Sequence, residues 1–263
     1  MTLMNTARRV LAVSPHLDDA ALSAGATLAD LAAQGADVEV CTLFAGTPPE
    51  PVSAVARDFH ARCGLPADTS AVALRIDEDR AAMDELGARA QHRWFLDAVY
   101  RRAPDDRWLC VHDRAMFDDL PLDQDGLLGD LSREVGRILA TVDPDLVLTC
   151  AAIGNHIDHR LTSAAVLDAV KDTGVPTLLW EDLPYAVGRA ATSAPSLARL
   201  APPEAWERKR RAIARYSTQV RMLWPADTDW AAELLAHAET RGDGRPAELL
   251  LRPSSESTGP DTS

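Results

Sequence analysis

Two short segments of the chain combine histidine with aspartate in a way that suits a transition-metal site. The first covers residues 16–19 and reads HLDD, and the second covers residues 156–159 and reads HIDH. Imidazole nitrogen and carboxylate oxygen are ligands that zinc and related divalent ions accept together. Three protein ligands with an open fourth position are typical of a catalytic zinc site rather than a structural one. The two segments together predict metal-dependent hydrolysis.

Each segment alone has a simpler interpretation as the start of a helix. Asp18 or Asp19 could cap a helix that begins at Ala20, and His156 and His159 could both line a first helical turn. The recurrence of the pattern favours the metal site, because both segments directly follow an apolar run. The other four histidines have no such pattern around them and are expected at the surface or in the core: His60, His92, His112 and His237.

The apolar runs and helical spacings predict an α/β fold. Residues 10–14 and 38–44 read as strands, and the Ala-rich stretch 20–33 between them reads as a helix that ends at Gly35, so the three form a parallel βαβ unit. Further strands are predicted at 71–75, 145–150, 177–180 and 248–251, the last at a sheet edge, and further helices at 51–63, 78–90, 131–140, 158–171, 204–216 and 230–239. The pattern favours a single Rossmann-like doubly wound domain over residues 1–252, with a mostly parallel sheet and helices on both faces. Residues 253–263 are predicted to be a disordered tail.

Composition excludes several classes of partner. The net charge of -13 argues against nucleic acid and against an anionic membrane surface, since both attract clustered Lys and Arg. No apolar stretch approaches the roughly 20 residues of a membrane span. The four cysteines contain no C-x-x-C pair and are expected to be small buried side chains, which suggests a reduced, cytoplasmic setting. The oligomeric state is left open.

With these residues identified, the chain resembles the PIG-L/LmbE superfamily of zinc-dependent N-acetylglucosamine de-N-acetylases over residues 8–185. That family carries His-Pro-Asp-Asp after its first strand and His-x-Asp-His after a later one, which correspond here to HLDD and HIDH. The segments 75–87 and 100–101 are also similar to family segments. Leu17 replaces the usual Pro, Ala20 stands where many members have Glu, and Ala24-Gly25 replaces a Gly-Gly pair. These departures spare every ligand and leave the substrate open.

The resemblance implies a role for each site residue. It makes His16, Asp19 and His159 the metal ligands, with Zn²⁺ as the cofactor, although the ligand set also permits iron or cobalt. It makes Asp18 the base that takes a proton from the attacking water. It makes His156, in its protonated form, the imidazole that stabilises the oxyanion or protonates the departing amine. Arg75 is a candidate for binding a substrate hydroxyl or phosphate, and its alternative is an ion pair with Glu78.

Two further groups of residues are candidates for the substrate side. Glu181, Asp182 and Tyr185 follow a predicted strand end and could lie at the rim of the site. Four aromatic side chains in the C-terminal helices could stack on a large ligand, but core packing is the favoured use: Trp206, Tyr216, Trp224 and Trp230.

The expected reaction is hydrolysis of an N-acyl amide, most simply N-acetyl, on an amino sugar or amino-sugar conjugate. Bacterial secondary metabolism, and antibiotic biosynthesis within it, is the setting that the Ala- and Arg-rich composition allows. One alternative keeps the chemistry but acts on a non-sugar or thiol-conjugate amide. The other is a non-catalytic α/β binding module, which the lack of a G-x-G-x-x-G loop after the first strand disfavours.

Overall fold

One seven-stranded sheet runs through the part of the chain that the computed structural model describes, namely residues 4, 6–65, 70–122, 126–191 and 195–253. The strands are β1 (Arg9–Ser14), β2 (Asp37–Thr42), β3 (Arg89–His92), β4 (Leu146–Cys150), β5 (Thr177–Trp180), β6 (Ser196–Leu200) and β7 (Ala247–Leu251). The α-helices are α1 (Asp19–Ala33), α2 (Ala54–Arg62), α3 (Ala71–Leu86), α4 (Leu127–Val142), α5 (Ile157–Val170), α6 (Pro203–Arg215), α7 (Ser217–Leu223) and α8 (Trp230–Arg241).

The sheet has the order β3-β2-β1-β4-β5-β7-β6. The first five of these strands are parallel to one another, whereas β7 pairs antiparallel with both β5 and β6. The expected α/β fold with a mostly parallel sheet is therefore confirmed.

Helices pack on both faces of the sheet, as the sequence predicted. Alternate residues of β1 point to opposite faces, so that Val10 and Ala12 join a core cluster with α1, α3 and α6. Leu11 and Val13 join a second cluster with α4 and α5. The sheet is thus buried on both sides, which explains why its central strands are almost entirely apolar.

The strand order creates a switch point at β1. β2 pairs with one side of β1 and β4 pairs with the other, so the chain leaves β1 and β4 through adjacent loops at the carboxyl edge of the sheet. Doubly wound folds bind their ligands in the crevice at such a point. Both His-Asp segments follow these two strands.

Three predictions about the elements were wrong. Residues 71–75 are not a strand but the first turns of α3, because Ser70 caps a helix there and four small or apolar residues do not distinguish strand from helix. The helix predicted from residue 78 therefore begins earlier, at Ala71, although it ends at Gly87 as its pattern indicated. β7 does not form a sheet edge, because β6 covers it.

The remaining elements differ in smaller ways. β3, β6 and α7 were not predicted, and each is short enough to lack a clear periodicity. Of the tail predicted to be disordered, residues 254–263 lie outside the described residues. All four cysteines are buried and free, as expected. Among the described residues, no helix has the length and apolar character needed to cross a membrane.

Candidate metal centre and active site

The first His-Asp segment forms a tight turn between β1 and α1. The backbone N–H of His16 donates to Oδ2 of Asp19 at 2.9 Å, so the Asp19 carboxylate is directed back toward the strand end. The Oγ atom of Ser14 donates to the His16 carbonyl at 2.7 Å and accepts from the Ala20 N–H at 3.2 Å. Asp18 occupies the N-cap position, but within the described chain its side chain makes no capping hydrogen bond. Helix capping therefore does not account for these two carboxylates.

The second segment follows β4 through a loop with unusual backbone conformations. Ala152 and Asn155 both have positive φ angles, of 62° and 66°, which residues with a side chain adopt uncommonly. His156 is the N-cap of α5, and its Nδ1 accepts the Asp158 N–H at 3.2 Å. The interpretation of His156 as a helix-start residue is thus correct for Nδ1. The Nε2 atom takes no part in the cap.

The fold brings together the three predicted metal ligands, His16, Asp19 and His159. Their ligand atoms all lie within 4.8 Å of one another. The Oδ2 atom of Asp19 is 3.1 Å from Nδ1 of His16 and 3.2 Å from Nε2 of His159. Among the described residues Nε2 of His159 is buried without a hydrogen-bond partner. Because burying an unpaired ring nitrogen costs free energy, this atom fits a site that holds a divalent cation.

A carboxylate lies against the far side of each candidate ligand imidazole. Nε2 of His16 is 3.0 Å from Oδ2 of Asp158, and Nδ1 of His159 is 2.7 Å from Oδ1 of Asp182. Such partners fix the tautomer and the orientation of a histidine ligand and raise its basicity. Each histidine thus has one nitrogen directed toward Asp19 and the other held by a carboxylate, which is the arrangement that a bound metal requires.

The two supporting carboxylates are themselves held in place. Asp158 accepts the Ala98 N–H at 2.8 Å and pairs with Nη2 of Arg101 at 2.7 Å. Asp182 accepts the Ile153 N–H at 2.8 Å through its second oxygen. Asp158 is thus held by a hydrogen bond and an ion pair, and Asp182 by a hydrogen bond on each oxygen, so both are candidate supports and Asp19 is the candidate ligand.

Two other clusters could also hold a cation, but they fit less well. Cys150 lies near His159 and Asp182, yet burial raises the pKa of its thiol well above the usual value, which opposes the thiolate that a metal needs. The third cluster joins His16 and His156 to Asp158, whose Oδ2 already accepts from Ala98 and whose Oδ1 forms an ion pair with Arg101 at 2.7 Å.

Asp18 lies beside the candidate metal ligands in a setting that suits a general base. Burial, together with the neighbouring charge of Asp19, raises its pKa to about 6, while Arg75 and His16 oppose the rise. A carboxyl group with a pKa near neutrality can accept a proton effectively at physiological pH.

Arg75 contacts the carboxylates of this site and not Glu78. Its Nη2 atom is 3.6 Å from Oδ1 of Asp18, and its Nη1 atom is 3.9 Å from Oδ2 of Asp97. The alternative prediction of an ion pair with Glu78 is not what the structure shows, because Glu78 accepts hydrogen bonds from Ser217 and Thr218 instead.

His156 is buried beside two other imidazole rings, those of His16 and His159. Burial and the nearby His16 ring lower its pKa well below the usual value, so the neutral imidazole is favoured. Since Nδ1 accepts the Asp158 N–H, the ring proton belongs on Nε2. These surroundings differ from the protonated His156 expected from the sequence.

The candidate metal-site residues open into a narrow cleft with an internal volume of about 60 Å³. Its lining combines the site residues with apolar side chains: His16, Asp18, Asp19, Leu22, Phe59, Arg75, Asp97, Val99, Met116, His156, Pro184, Tyr185, Gln219, Met222 and Leu223. Tyr185 lies at this cleft as its position suggested, whereas Glu181 and Asp182 are buried outside the lining.

The four aromatic residues of the C-terminal helices do not line this cleft. Tyr216 and Trp224 are buried in the core, as expected for packing. Trp206 and Trp230 line a separate, mostly apolar groove between α6 and α8. That groove holds none of the predicted site residues, so we assign the chemistry to the metal-site cleft.

Three residues of the site were missed or misplaced from the sequence. Asp182 was expected at the rim of the site, but its carboxylate is hydrogen-bonded to His159. The indication in the sequence was its position directly after the strand that forms β5. Asp97 and Arg101 lie between β3 and α4, in a stretch with only short 3₁₀ turns, where periodicity carries no information. For Arg101, the indication in the sequence was that residues 100–101 resemble a segment of the PIG-L family.

Comparison with known proteins agrees with this geometry. The family model described as GlcNAc-PI de-N-acetylase (PIG-L) matches residues 11–170. A 2'-N-acetylparomamine deacetylase of Streptomyces fradiae is 33% identical over 190 residues, which cover 70% of this chain and 60% of that protein. The chain therefore matches less than two thirds of the length of that relative.

Solved structures match nearly the whole chain. The zinc-inhibited form of a teicoplanin deacetylase is 39% identical, with a TM-score of 0.83 over 95% of this chain and 100% of that one. An A40926 pseudoaglycone deacetylase is 37% identical, with a TM-score of 0.79 over 93% and 96% of the two chains. The chain belongs to the PIG-L family of metal-dependent deacetylases.

Proposed function

We propose that this protein is a zinc-dependent deacetylase, which hydrolyses the N-acetyl amide of an amino sugar or amino-sugar conjugate in antibiotic biosynthesis. The observation that carries the proposal is the buried Nε2 of His159, which has no hydrogen-bond partner in the part of the chain that the structure describes and lies 3.2 Å from Asp19 beside His16. The relatives named for deacetylation of 2'-N-acetylparomamine and teicoplanin support the substrate class.

His16, Asp19 and His159 would hold the zinc ion. Bound there, zinc supplies Lewis acidity, which polarises an amide carbonyl and lowers the pKa of water toward about 7. Asp158 and Asp182 keep the two imidazoles in the ligating tautomer from the opposite side. The alternative of a non-catalytic binding module assumed that the acidic residues only cap helices. Helix capping does not explain why each imidazole faces Asp19 on one side and a further carboxylate on the other.

Asp18 would accept the proton of the attacking water. It is adjacent to the ligand Asp19 and lines the cleft, and its raised pKa of about 6 places it close to neutrality. Arg75, 3.6 Å away, keeps the carboxylate charged at neutral pH and fixes its direction. The proton taken by Asp18 is then available to the amine, since an amide is not expelled as a free amide anion.

His156 would donate from Nε2 to the oxygen that becomes negative as the amide is attacked. The Asp158 N–H fixes this tautomer through Nδ1. A buried donor that is already oriented stabilises a developing oxyanion without reorganisation during the reaction. The neutral ring is sufficient for this role.

The proposal is tested by amine release from a set of N-acetyl compounds. We would remove metal from the purified protein with a chelator, reload it with zinc, and supply 2'-N-acetylparomamine, methyl N-acetylglucosaminide and N-acetylcysteamine. We expect the zinc-loaded protein to release amine from at least one of the two sugars and the metal-free protein to release none. Equal release by both forms, or release from N-acetylcysteamine alone, would contradict the proposal.

A matched pair of histidine variants sharpens the test. His159→Gln removes a proposed ligand, whereas His237→Gln changes another buried histidine, which pairs with Glu181 at 2.9 Å outside the cleft. We expect only His159→Gln to abolish zinc binding and amine release. Equal losses in the two variants would indicate damage to the fold rather than loss of a ligand.

A further inference from the structure

We propose that Glu248 is a positioning residue of the active site, which acts through the backbone of α1. Glu248 lies on β7, and its carboxylate accepts the N–H groups of Ala26 and Thr27 in the middle of α1. These two bonds set the direction in which the start of α1 carries Asp18 and Asp19 to the metal site. The inference rests on the proposed deacetylase function and adds a residue that acts from outside the lining of the cleft.

The contact enters the hydrogen-bond ladder of a helix. In a regular α-helix the N–H groups of Ala26 and Thr27 donate to the carbonyl oxygens four residues earlier. Here Oε1 of Glu248 accepts the Ala26 N–H at 2.9 Å and Oε2 accepts the Thr27 N–H at 2.7 Å, and α1 continues as a helix on both sides of this contact. A side chain that enters the ladder is one of the few identifiable causes of a helix bend. Glu248 therefore divides α1 into a first part, residues 19–25, and a second part, residues 26–33.

The carboxylate of Glu248 is held in place by Lys209 on α6. Nζ of Lys209 donates to Oε1 of Glu248 at 2.6 Å, and both side chains are buried. The lysine chain crosses α1 at Gly25, where a Cβ atom would lie 3.0 Å from Cγ of Lys209. A glycine at this position leaves the room that the lysine needs to reach the carboxylate. Donors from two helices, α1 and α6, thus fix Glu248 against α1.

The first part of α1 carries groups on two sides of the metal site. Asp19, a proposed ligand, is its first residue, and Asp18, the proposed base, precedes it as the N-cap. One turn further along, the Oγ atom of Ser23 accepts the Leu183 N–H at 3.0 Å. Leu183 directly follows Asp182, whose carboxylate supports the imidazole of another proposed ligand. A change in the direction of the first part would therefore move the base, a ligand and the segment that holds this support.

The length of the first part makes its direction important. At 1.5 Å per residue, Ala26 lies about 10 Å along the helix from Asp19. A change of about 6° in direction at Ala26 displaces Asp19 by about 1 Å over that length. A misplacement of about 1 Å in an active site can lower the rate by about 10²-fold. We expect a loss of this size when Glu248 no longer accepts the two N–H groups.

The test replaces the buried ion pair with uncharged side chains of similar size, so that no unpaired charge stays buried. Lys209→Met with Glu248→Leu removes both acceptor oxygens, whereas Lys209→Met with Glu248→Gln keeps one. We expect the kcat of the zinc-loaded protein on N-acetyl sugars to fall by about 10²-fold in the first double variant and by less in the second, with KM nearly unchanged. Thermal midpoints should not follow this order, because an apolar pair often replaces a buried ion pair without loss of stability.

The matched control is Arg199→Met with Asp30→Leu. Asp30 also lies on α1 and pairs with Arg199 of β6, but this contact joins two side chains and not a side chain to the helix backbone. We expect the control to keep the kcat of the wild type. An equal loss of kcat in the control would overturn the positioning role, since any disturbance of α1 would then be sufficient.

Crystal structures of the metal-free wild type and variants give a readout that needs neither zinc nor turnover. The separation between Oδ2 of Asp19 and Nε2 of His159, 3.2 Å here, should change by about 1 Å in Lys209→Met with Glu248→Leu and stay the same in the control. If that double variant does not fold, Lys209→Met with Glu248→Gln carries both measurements.

The outcomes separate the positioning role from the proposed function. A displaced Asp19 in a protein whose wild type releases no amine would support the positioning role and contradict the deacetylase function. Amine release at the kcat of the wild type, with Asp19 in place, would overturn the positioning role and retain the function. In an active protein, a change in only one of the two, kcat or the position of Asp19, would also overturn it.

Discussion

The imidazole of His159 and the carboxylate of Asp182 are joined at 2.7 Å between Nδ1 and Oδ1, and both side chains are buried. Because Nδ1–H donates to Asp182, Nε2 is the ring nitrogen that faces Asp19, at 3.2 Å, and among the described residues it has no hydrogen-bond partner. Burial opposes a positive charge here, but Asp19 and Asp182 outweigh it and raise the pKa of His159 to about 9. The same carboxylates would favour a bound cation at this position.

Asp182→Asn should weaken metal binding without removing a ligand. An amide in place of the carboxylate is a poorer acceptor and no longer enforces the Nδ1–H tautomer of His159, so we expect zinc affinity to fall by about 10- to 100-fold. Chelator competition measures this affinity directly. Glu181→Gln is the matched control, since Glu181 pairs with His237 and Arg241 instead. Equal zinc affinities in Asp182→Asn and the wild type would contradict a supporting role.

Lys209→Met should destabilise the fold by about 3–5 kcal/mol, because it leaves a buried carboxylate without its cation. Nζ of Lys209 donates to Oε1 of Glu248 at 2.6 Å, and both residues are buried. Glu248 also accepts the N–H groups of Ala26 at 2.9 Å and Thr27 at 2.7 Å, so its charge is fixed inside the protein. Urea denaturation measures the free energy of unfolding.

The control for this pair is Arg210→Met at the adjacent exposed position, which should change the free energy of unfolding by only about 0.5 kcal/mol. The double variant Lys209→Met with Glu248→Gln should recover part of the loss, because the uncompensated charge is gone. If Lys209→Met and Arg210→Met had similar free energies of unfolding, the Lys209–Glu248 pair would make no measurable contribution to stability.

The contribution of Glu181 to stability should depend on pH. Burial opposes its charge, but hydrogen bonds from His237 and Arg241 outweigh burial and lower its pKa below the ordinary value of 4.5. A lowered folded-state pKa means that the charged group stabilises the fold above pH 4.5, and that this stabilisation is lost as the pH falls through the folded-state value. Glu181→Gln should therefore be destabilised at pH 7.

Urea denaturation of the wild type and Glu181→Gln at a series of pH values measures this dependence. The difference in unfolding free energy should be constant near neutrality and should shrink as the pH falls below about 4.5. A difference that stays the same down to the acid limit of folding would mean that the carboxylate charge contributes nothing.

Much of the fold could be predicted because its central elements have strong local patterns. The apolar strand β1, the Ala-rich helix α1 and the glycine that follows it specify a βαβ unit without information from elsewhere. Residues 71–75 were assigned wrongly because a short run of Ala, Val and Leu suits either state, and only the Ser70 cap and the packing of α3 decide between them. β6 was missed because its pairing with β7 depends on a distant part of the chain.

The candidate ligands could be predicted because the residue types themselves carry the chemistry. His16, Asp19 and His159 follow strands that become neighbours in any parallel sheet with this switch point. The support of His159 by Asp182 was not predictable, since it depends on β5 lying next to β4 and on side-chain directions that no spacing encodes. The pairing of Arg75 with Asp18 likewise depends on how α3 packs against the sheet.

The central claim is tested most directly by Asp18→Asn, assayed at the same time for zinc content and for amine release. Asp18 lines the cleft beside the ligand Asp19 but is not one of the three proposed ligands. The variant should therefore retain about one zinc ion per chain. Its kcat on N-acetyl amino sugars should fall by about 10²- to 10⁴-fold, the usual contribution of a general base. Undiminished turnover in the zinc-loaded variant would contradict the account.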